Sequence, residues 1–86
     1  MNDVGITYLR EKIDSIDAEI TALLNKRLDI CRQIGQVKKA LEMSVLNENI
    51  ESARISRVKE LSEDENKAAV ETVYKEIIEE CRNVQE

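Results

Sequence analysis

"LREKIDSIDAEITALLNKRLDICRQIGQVKKAL", residues 9–41, decides how this chain folds. Apolar residues recur in it with a 4-3 alternation: Leu9, Ile13, Ile16, Ile20, Leu23, then Ile30, Ile34, Val37 and Leu41. This is a heptad seam, which packs knobs-into-holes against another helix along its whole length. Arg27 occupies the one seam position that is not apolar. The pattern predicts a first helix over about 6–42, with Gly35 weakening it only locally. At 1.5 Å per residue that helix is roughly 50 Å long.

Downstream, "EMSVLNEN" (42–49) breaks the period and predicts a turn near Met43–Leu46, with Asn47 as the N-cap of the next helix. The second helix is expected over about 47–61, with Ile55, Val58 and Leu61 on its apolar face. Ser62 with Glu65 has the spacing of a capping box, so a third helix is expected over about 63–84. Its stripe is Val70, Val73, Tyr74, Ile77, Cys81 and Val84. The expected architecture is all-α, one domain over 1–86 with one long and two shorter helices. The long seam exceeds what the two shorter helices can cover. A second copy covers it most simply, which gives an intertwined homodimeric bundle.

Composition narrows the function classes. The chain has 86 residues, 36% of them charged, with two Tyr, no Phe, no Trp and no Pro. So few aromatics in so short a chain favour oligomerisation. A net charge of −5 speaks against a nucleic-acid partner, which needs a basic face. No apolar run approaches the roughly 18 residues of a membrane span. Met1–Thr7 lacks the basic start and apolar core of a signal peptide. Cys31 and Cys81 fall in helical stripes and read as buried free thiols of a cytoplasmic protein. With no His and no Cys cluster, no metal site is expected.

The charges near the seam carry the chemistry. A lone Arg27 would read as a register-fixing polar residue, or as an arginine whose head snorkels to water. Lys38, however, lies three turns on and within about 20° of the same face, and Arg10 shares its flanking row. Buried cations without anions are costly. Glu51, aligned with Ile55 and Val58, is the acidic candidate, but one glutamate does not neutralise three cations. A small dianionic ligand would complete the set, with arginine binding carboxylates bidentately and lysine acting as a point charge. Arg27 and Lys38 are about 16 Å apart along the helix, which long side chains can close. Arg10 is about 26 Å from Arg27, so it serves such a pocket only from an antiparallel second copy. No Ser-His or Cys-His pair and no Gly-rich phosphate loop is present. Cations, a glutamate and amides suit a reaction that needs positioning and electrostatic stabilisation alone.

At this point the residues resemble a known family. "LREKIDSIDAEITALLNKRLDICRQIGQVKK" (9–39) is similar to the first helix of the all-helical chorismate mutases, in its Leu-Arg, Ile-Asp, Ile-Asp, Leu-Leu, Arg, Ile-Gly and Lys at this spacing. Weaker similarity continues through "SVLNENIE" (44–51) and "IIEECRNVQ" (77–85). The resemblance implies an intertwined helical dimer that rearranges chorismate, a dicarboxylate, to prephenate on the route to phenylalanine and tyrosine. It implies no cofactor and no covalent intermediate.

By position, the resemblance makes Arg10 the arginine donated across the subunit interface and Arg27 the carboxylate-binding arginine within the subunit. Lys38 becomes the lysine on the ether oxygen and a carboxylate. Glu51 orients the ring hydroxyl, and Gln85 is the amide that donates to the ether oxygen. Cys81 stands where a small polar residue is common. Two positions depart from the family pattern: Asn47, where Asp is usual, and Ile50, where an arginine usually precedes the glutamate. Ile50 implies a pocket short of one cation and a weakened enzyme, unless Arg54 reaches in from one turn further on. An isochorismate pyruvate lyase on the same scaffold, or a non-catalytic mutase-like dimer with a regulatory role, are the alternative readings.

Overall fold

A computed structural model describes residues 3–86 as α1 (Val4–Ala40), α2 (Glu48–Leu61), one 3-10 turn (Asp64–Asn66) and α3 (Lys67–Gln85). Met1 and Asn2, which begin the Met1–Thr7 stretch, lie outside the described residues. The described chain is all-α, without a strand. Its dimensions, 62 × 25 × 15 Å, are set by the 37 residues of α1.

Helix α1 stops where the period stops, and the geometry of the stop shapes the site. Glu42 adopts φ 56°, the left-handed region, just after the C-cap Leu41. Met43 N then donates to Lys38 O at 2.8 Å and Glu42 N to Lys39 O at 3.2 Å. These are the two bonds of a Schellman motif, built on a glutamate where glycine is favoured. The chain reverses there and re-enters helix at Asn47, whose side chain accepts from Ile50 N at 3.1 Å. That cap satisfies one orphan donor of α2.

The α2–α3 junction differs from the capping-box reading. Ser62 ends α2 instead of starting α3: its hydroxyl donates back to Val58 O at 2.7 Å. The 3-10 turn follows, and Asn66 precedes α3 without a side-chain cap bond. Lys67, the first residue of α3, donates to Lys59 O at 2.6 Å and so neutralises the carbonyl end of α2. Glu71 is clasped between Lys59 (2.9 Å) and Lys75 (3.1 Å), and the Lys59 contact leads in holding its carboxyl below the usual range.

Helix α3 packs against both α1 and α2, whereas α1 and α2 do not pack on each other. On α1 it uses a flank, where Leu24 and Leu28 line one groove with Val73 and Ile77, and it reaches Cys31 and Gly35. The heptad seam is left uncovered: from Leu9 to Val37 its apolar residues are 37–63% exposed. Only Cys31 (3%) and Ile78 (6%) form a buried apolar centre among the described residues. From Leu9 to Leu23 every residue of α1 is exposed, so this length of the seam is uncovered among the described residues.

Cys31 and Cys81 are not free thiols. The crossing of α1 and α3 brings their Cα atoms to 5.4 Å, inside the range a disulfide spans, and the two sulfurs are bonded. The expectation of free thiols rested on their places in apolar helical stripes and on compartment, and could not see that residues 50 apart in sequence converge here. The bridge closes a long loop in a chain with little core, so its reduction should cost about 2–4 kcal/mol of stability. Thermal melts at one fixed protein concentration, with and without a phosphine reductant, check this. A thiol titration of the unreduced, denatured protein should find no free thiol, and two would refute the pairing.

Candidate active site

Where α1, α2 and α3 come together beside the disulfide, they line a half-open cavity of about 160 Å³. Helix α1 contributes Arg27, Ile34 and Lys38, and the α1–α2 loop contributes Val45 and Asn47. Ile50, Glu51 and Arg54 come from α2, and Ile78, Cys81, Arg82 and Gln85 from α3. Seven side chains singled out in the sequence therefore share one wall-to-wall space: Arg27, Lys38, Asn47, Glu51, Arg54, Cys81 and Gln85. The floor is apolar (Ile34, Ile78 and the disulfide) and the rim is charged. Four cations face one carboxylate, a balance that suits a small dianion.

Lys38, Arg27 and Gln85 each have one local contact. Lys38 is half-buried, and its Nζ donates to Val45 O at 2.8 Å, so the loop behind the Schellman turn fixes the ammonium. An ammonium has three protons, so two remain for a ligand. Arg27 Nη1 lies 3.6 Å from Cys31 Sγ, one turn along α1, a weak contact that leaves most of the guanidinium uncommitted. Gln85 Nε2 lies 3.4 Å from Cys81 Sγ, and Gln85 Oε1 is buried without a partner. A half-turn of that amide exchanges donor and acceptor for the loss of one N–H···S contact. The disulfide thus sits between the arginine and the amide and touches both.

Gly35 is what lets Gln85 approach. An alanine Cβ at that position would lie 2.7 Å from the Cα of Gln85. In the sequence this glycine reads only as a weak point in a helical period; in the structure it lies directly against the backbone of Gln85 at the end of α3.

Outside those seven side chains, Arg10, Ile50 and Arg82 take three different positions relative to the cavity. Arg10 lies on the exposed first half of α1, outside the lining of its own chain's cavity. Ile50 does line the cavity, and it is half-exposed. Arg82 was not singled out at all. It sits in a run of charged and amide residues near the chain end, where a solvated arginine is ordinary, and no local signal marks it. Its Nε lies 2.9 Å from Glu51 Oε2.

A model of the family described as "Chorismate mutase type II" matches residues 9–86. The intracellular chorismate mutases of Mycobacterium tuberculosis and Mycobacterium bovis are 37% identical over 65 residues, which is 76% of this chain and 62% of theirs. A 3-dehydroquinate dehydratase of Pyrobaculum aerophilum is 26% identical over 81 residues, 94% of this chain but 24% of that protein. The chain thus spans about a quarter of one of these curated relatives and about three fifths of the others. A solved structure of a conserved hypothetical protein from Pyrococcus furiosus superimposes with a TM-score of 0.84 at 29% identity, covering 99% of this chain and all of that one. With the family match running through all three helices and both walls of the cavity, the chain belongs to the type II chorismate mutase family.

Proposed function

We propose that this chain catalyses the rearrangement of chorismate to prephenate as a homodimer in the cytoplasm. The observation that carries the reading is the convergence of Arg27, Lys38, Glu51 and Gln85 on one small, apolar-floored cavity. Chorismate has two carboxylates, a ring hydroxyl and an ether oxygen whose bond to the ring breaks. Arg27 binds a carboxylate through its uncommitted guanidinium. Lys38, with two free protons, serves a carboxylate and the ether oxygen. Glu51 accepts from the ring hydroxyl, and the Gln85 amide donates to the ether oxygen. Binding in the folded conformer brings the reacting carbons together, and charge developing on the ether oxygen meets donors already in place. No proton transfer and no covalent bond to the protein is needed.

The second carboxylate calls for another cation. Arg10 of a second copy supplies it when the exposed seams of two α1 helices pack antiparallel. The uncovered apolar seam supports this assembly, since a patch of that length is a liability on a monomer. Ile50 leaves its part of the wall uncharged, and we read the enzyme as weaker for it.

The purified protein should consume chorismate and yield prephenate, identified by its conversion to phenylpyruvate in acid. Isochorismate, offered separately, should release no pyruvate. Sedimentation at micromolar concentration should give twice the 9.9 kDa of one chain. A dimer inert toward chorismate would overturn the catalytic reading. A folded, active monomer would overturn the shared site.

A further inference from the structure

Arg82 belongs to neither the substrate-binding set proposed above nor a solvated chain end. It is half-buried, on α3, and lines the same cavity as Glu51. Its Nε is 2.9 Å from Glu51 Oε2, and the two side chains are 35% and 24% exposed. This is the one ion pair recorded for either residue among the described residues. The pair bridges α2 and α3 at the cavity wall.

The contact is close without being a well-aligned hydrogen bond: Arg82 Nε is buried and its hydrogen-bonding geometry is unfulfilled. The attraction is therefore chiefly charge on charge, and the remaining guanidinium protons are not used by another side chain. Coulomb attraction at this distance in a partly desolvated setting holds a carboxylate in place better than the same pair does in open water. A carboxylate so held cannot swing out of α2 toward solvent, and its second oxygen is left for a ligand.

We propose that Arg82 is a positioning residue for the proposed mutase reaction, acting through Glu51. It fixes the carboxylate that receives the substrate's hydroxyl, and it cancels that carboxylate's charge so that the cavity stays net positive toward a dianion. The inference rests on the chorismate reading. It makes Arg82 a determinant of which hydroxylated ring is accepted, without direct contact to the reacting atoms.

Two consequences follow from acting through another group. Removing the guanidinium matters only while the Glu51 carboxylate is present. A lysine at 82, which keeps the charge but not the planar fork, retains part of the effect.

The test is a double-mutant cycle on the intact dimer, with kcat, KM and melting temperature for the wild type, Arg82→Ala, Arg82→Lys, Glu51→Gln and the double variant Arg82→Ala/Glu51→Gln. Arg82→Ala should lower kcat/KM about tenfold in the wild-type background, the factor expected for one partly exposed ionic contact. In the Glu51→Gln background the same change should cost less than about threefold, and Arg82→Lys should recover part of the loss. Equal losses in both backgrounds would mean that Arg82 acts independently of Glu51, and would overturn the proposal. A lowered melting temperature with unchanged kcat/KM per folded dimer would reduce Arg82 to a structural clasp and overturn it as well. A wild-type dimer that leaves chorismate untouched would instead sink the chorismate reading itself, and this inference with it.

Discussion

Lys38→Ala is expected to lower kcat/KM by about 10²–10³-fold, the range seen when one preorganised donor is removed from a developing negative charge. The structure gives two reasons to expect a loss on this scale. The ammonium is half-buried at the charged rim of the cavity, so water does not replace it freely. It is also held before any substrate arrives, by its 2.8 Å bond to Val45 O, so little of its interaction is lost to ordering a flexible chain. In the proposed reaction the loss should appear mainly in kcat, because a contact to the ether oxygen strengthens as the ether bond breaks. In the proposed reaction Arg27 holds a carboxylate from binding onward, so Arg27→Ala should cost at least about 100-fold in kcat/KM with a larger share in KM.

The Val45 bond also offers a competing account, in which Lys38 merely pins the α1–α2 loop. Lys38→Gln separates the two. A glutamine amide still donates to a backbone carbonyl but has no charge. If the loop contact were the whole role, Lys38→Gln would keep near-normal turnover. The expected result is that it loses nearly as much as Lys38→Ala, while circular dichroism and melting temperature stay close to the wild type.

What the sequence made legible, and what it hid, divides by range. The seam from Leu9 to Leu41 is a strictly periodic signal that repeats over many turns, so one long helix followed from it, ending within a few residues of where α1 stops at Ala40. Arg27, Lys38 and Glu51 stood out because each set a charge on a face otherwise apolar, and they do line one cavity. The start of α3 did not come out correctly, because Ser62 has the right spacing for a cap and yet bonds backward to Val58. A hydroxyl at a helix junction can satisfy either neighbour, and only the turn between them decides. The disulfide and Arg82 were hidden for a different reason. Both depend on where α3 crosses the other helices, which no local pattern encodes. Cys31 and Cys81 each look like an ordinary apolar-stripe cysteine, and Arg82 looks like a frayed end, until the crossing sets them beside a partner.

The same crossing makes Gly35→Ala the most informative small substitution in the chain. In an exposed helix interior, alanine for glycine stabilises by about 1 kcal/mol. Here the added Cβ would meet Gln85 at 2.7 Å from Cα and 2.9 Å from both O and Cβ, atoms that the backbone fixes and that no side-chain rotation moves away. Ordinary carbon contacts sit at about 3.5–4.0 Å, so the helices must part by roughly 1 Å or the end of α3 must unwind. One turn earlier on each helix, the Cys31–Cys81 bridge holds the Cα atoms at 5.4 Å and resists separation. Gln85 is the last residue of α3, so its turn is the cheaper element to yield. The expected outcome is therefore a small change in melting temperature, with helix propensity and clash nearly offsetting. Turnover should fall far more, by about 100-fold, the scale of a 1 Å misplacement of a positioned group. The loss should match that of Gln85→Ala, and the double variant Gly35→Ala/Gln85→Ala should be no worse than either single change, because both remove the same amide from the cavity. Wild-type turnover in Gly35→Ala would mean that the amide of Gln85 takes no part in the reaction. Additive losses would mean that the alanine disturbs a second group, and Arg27, which rests against the same disulfide, would be the one to examine.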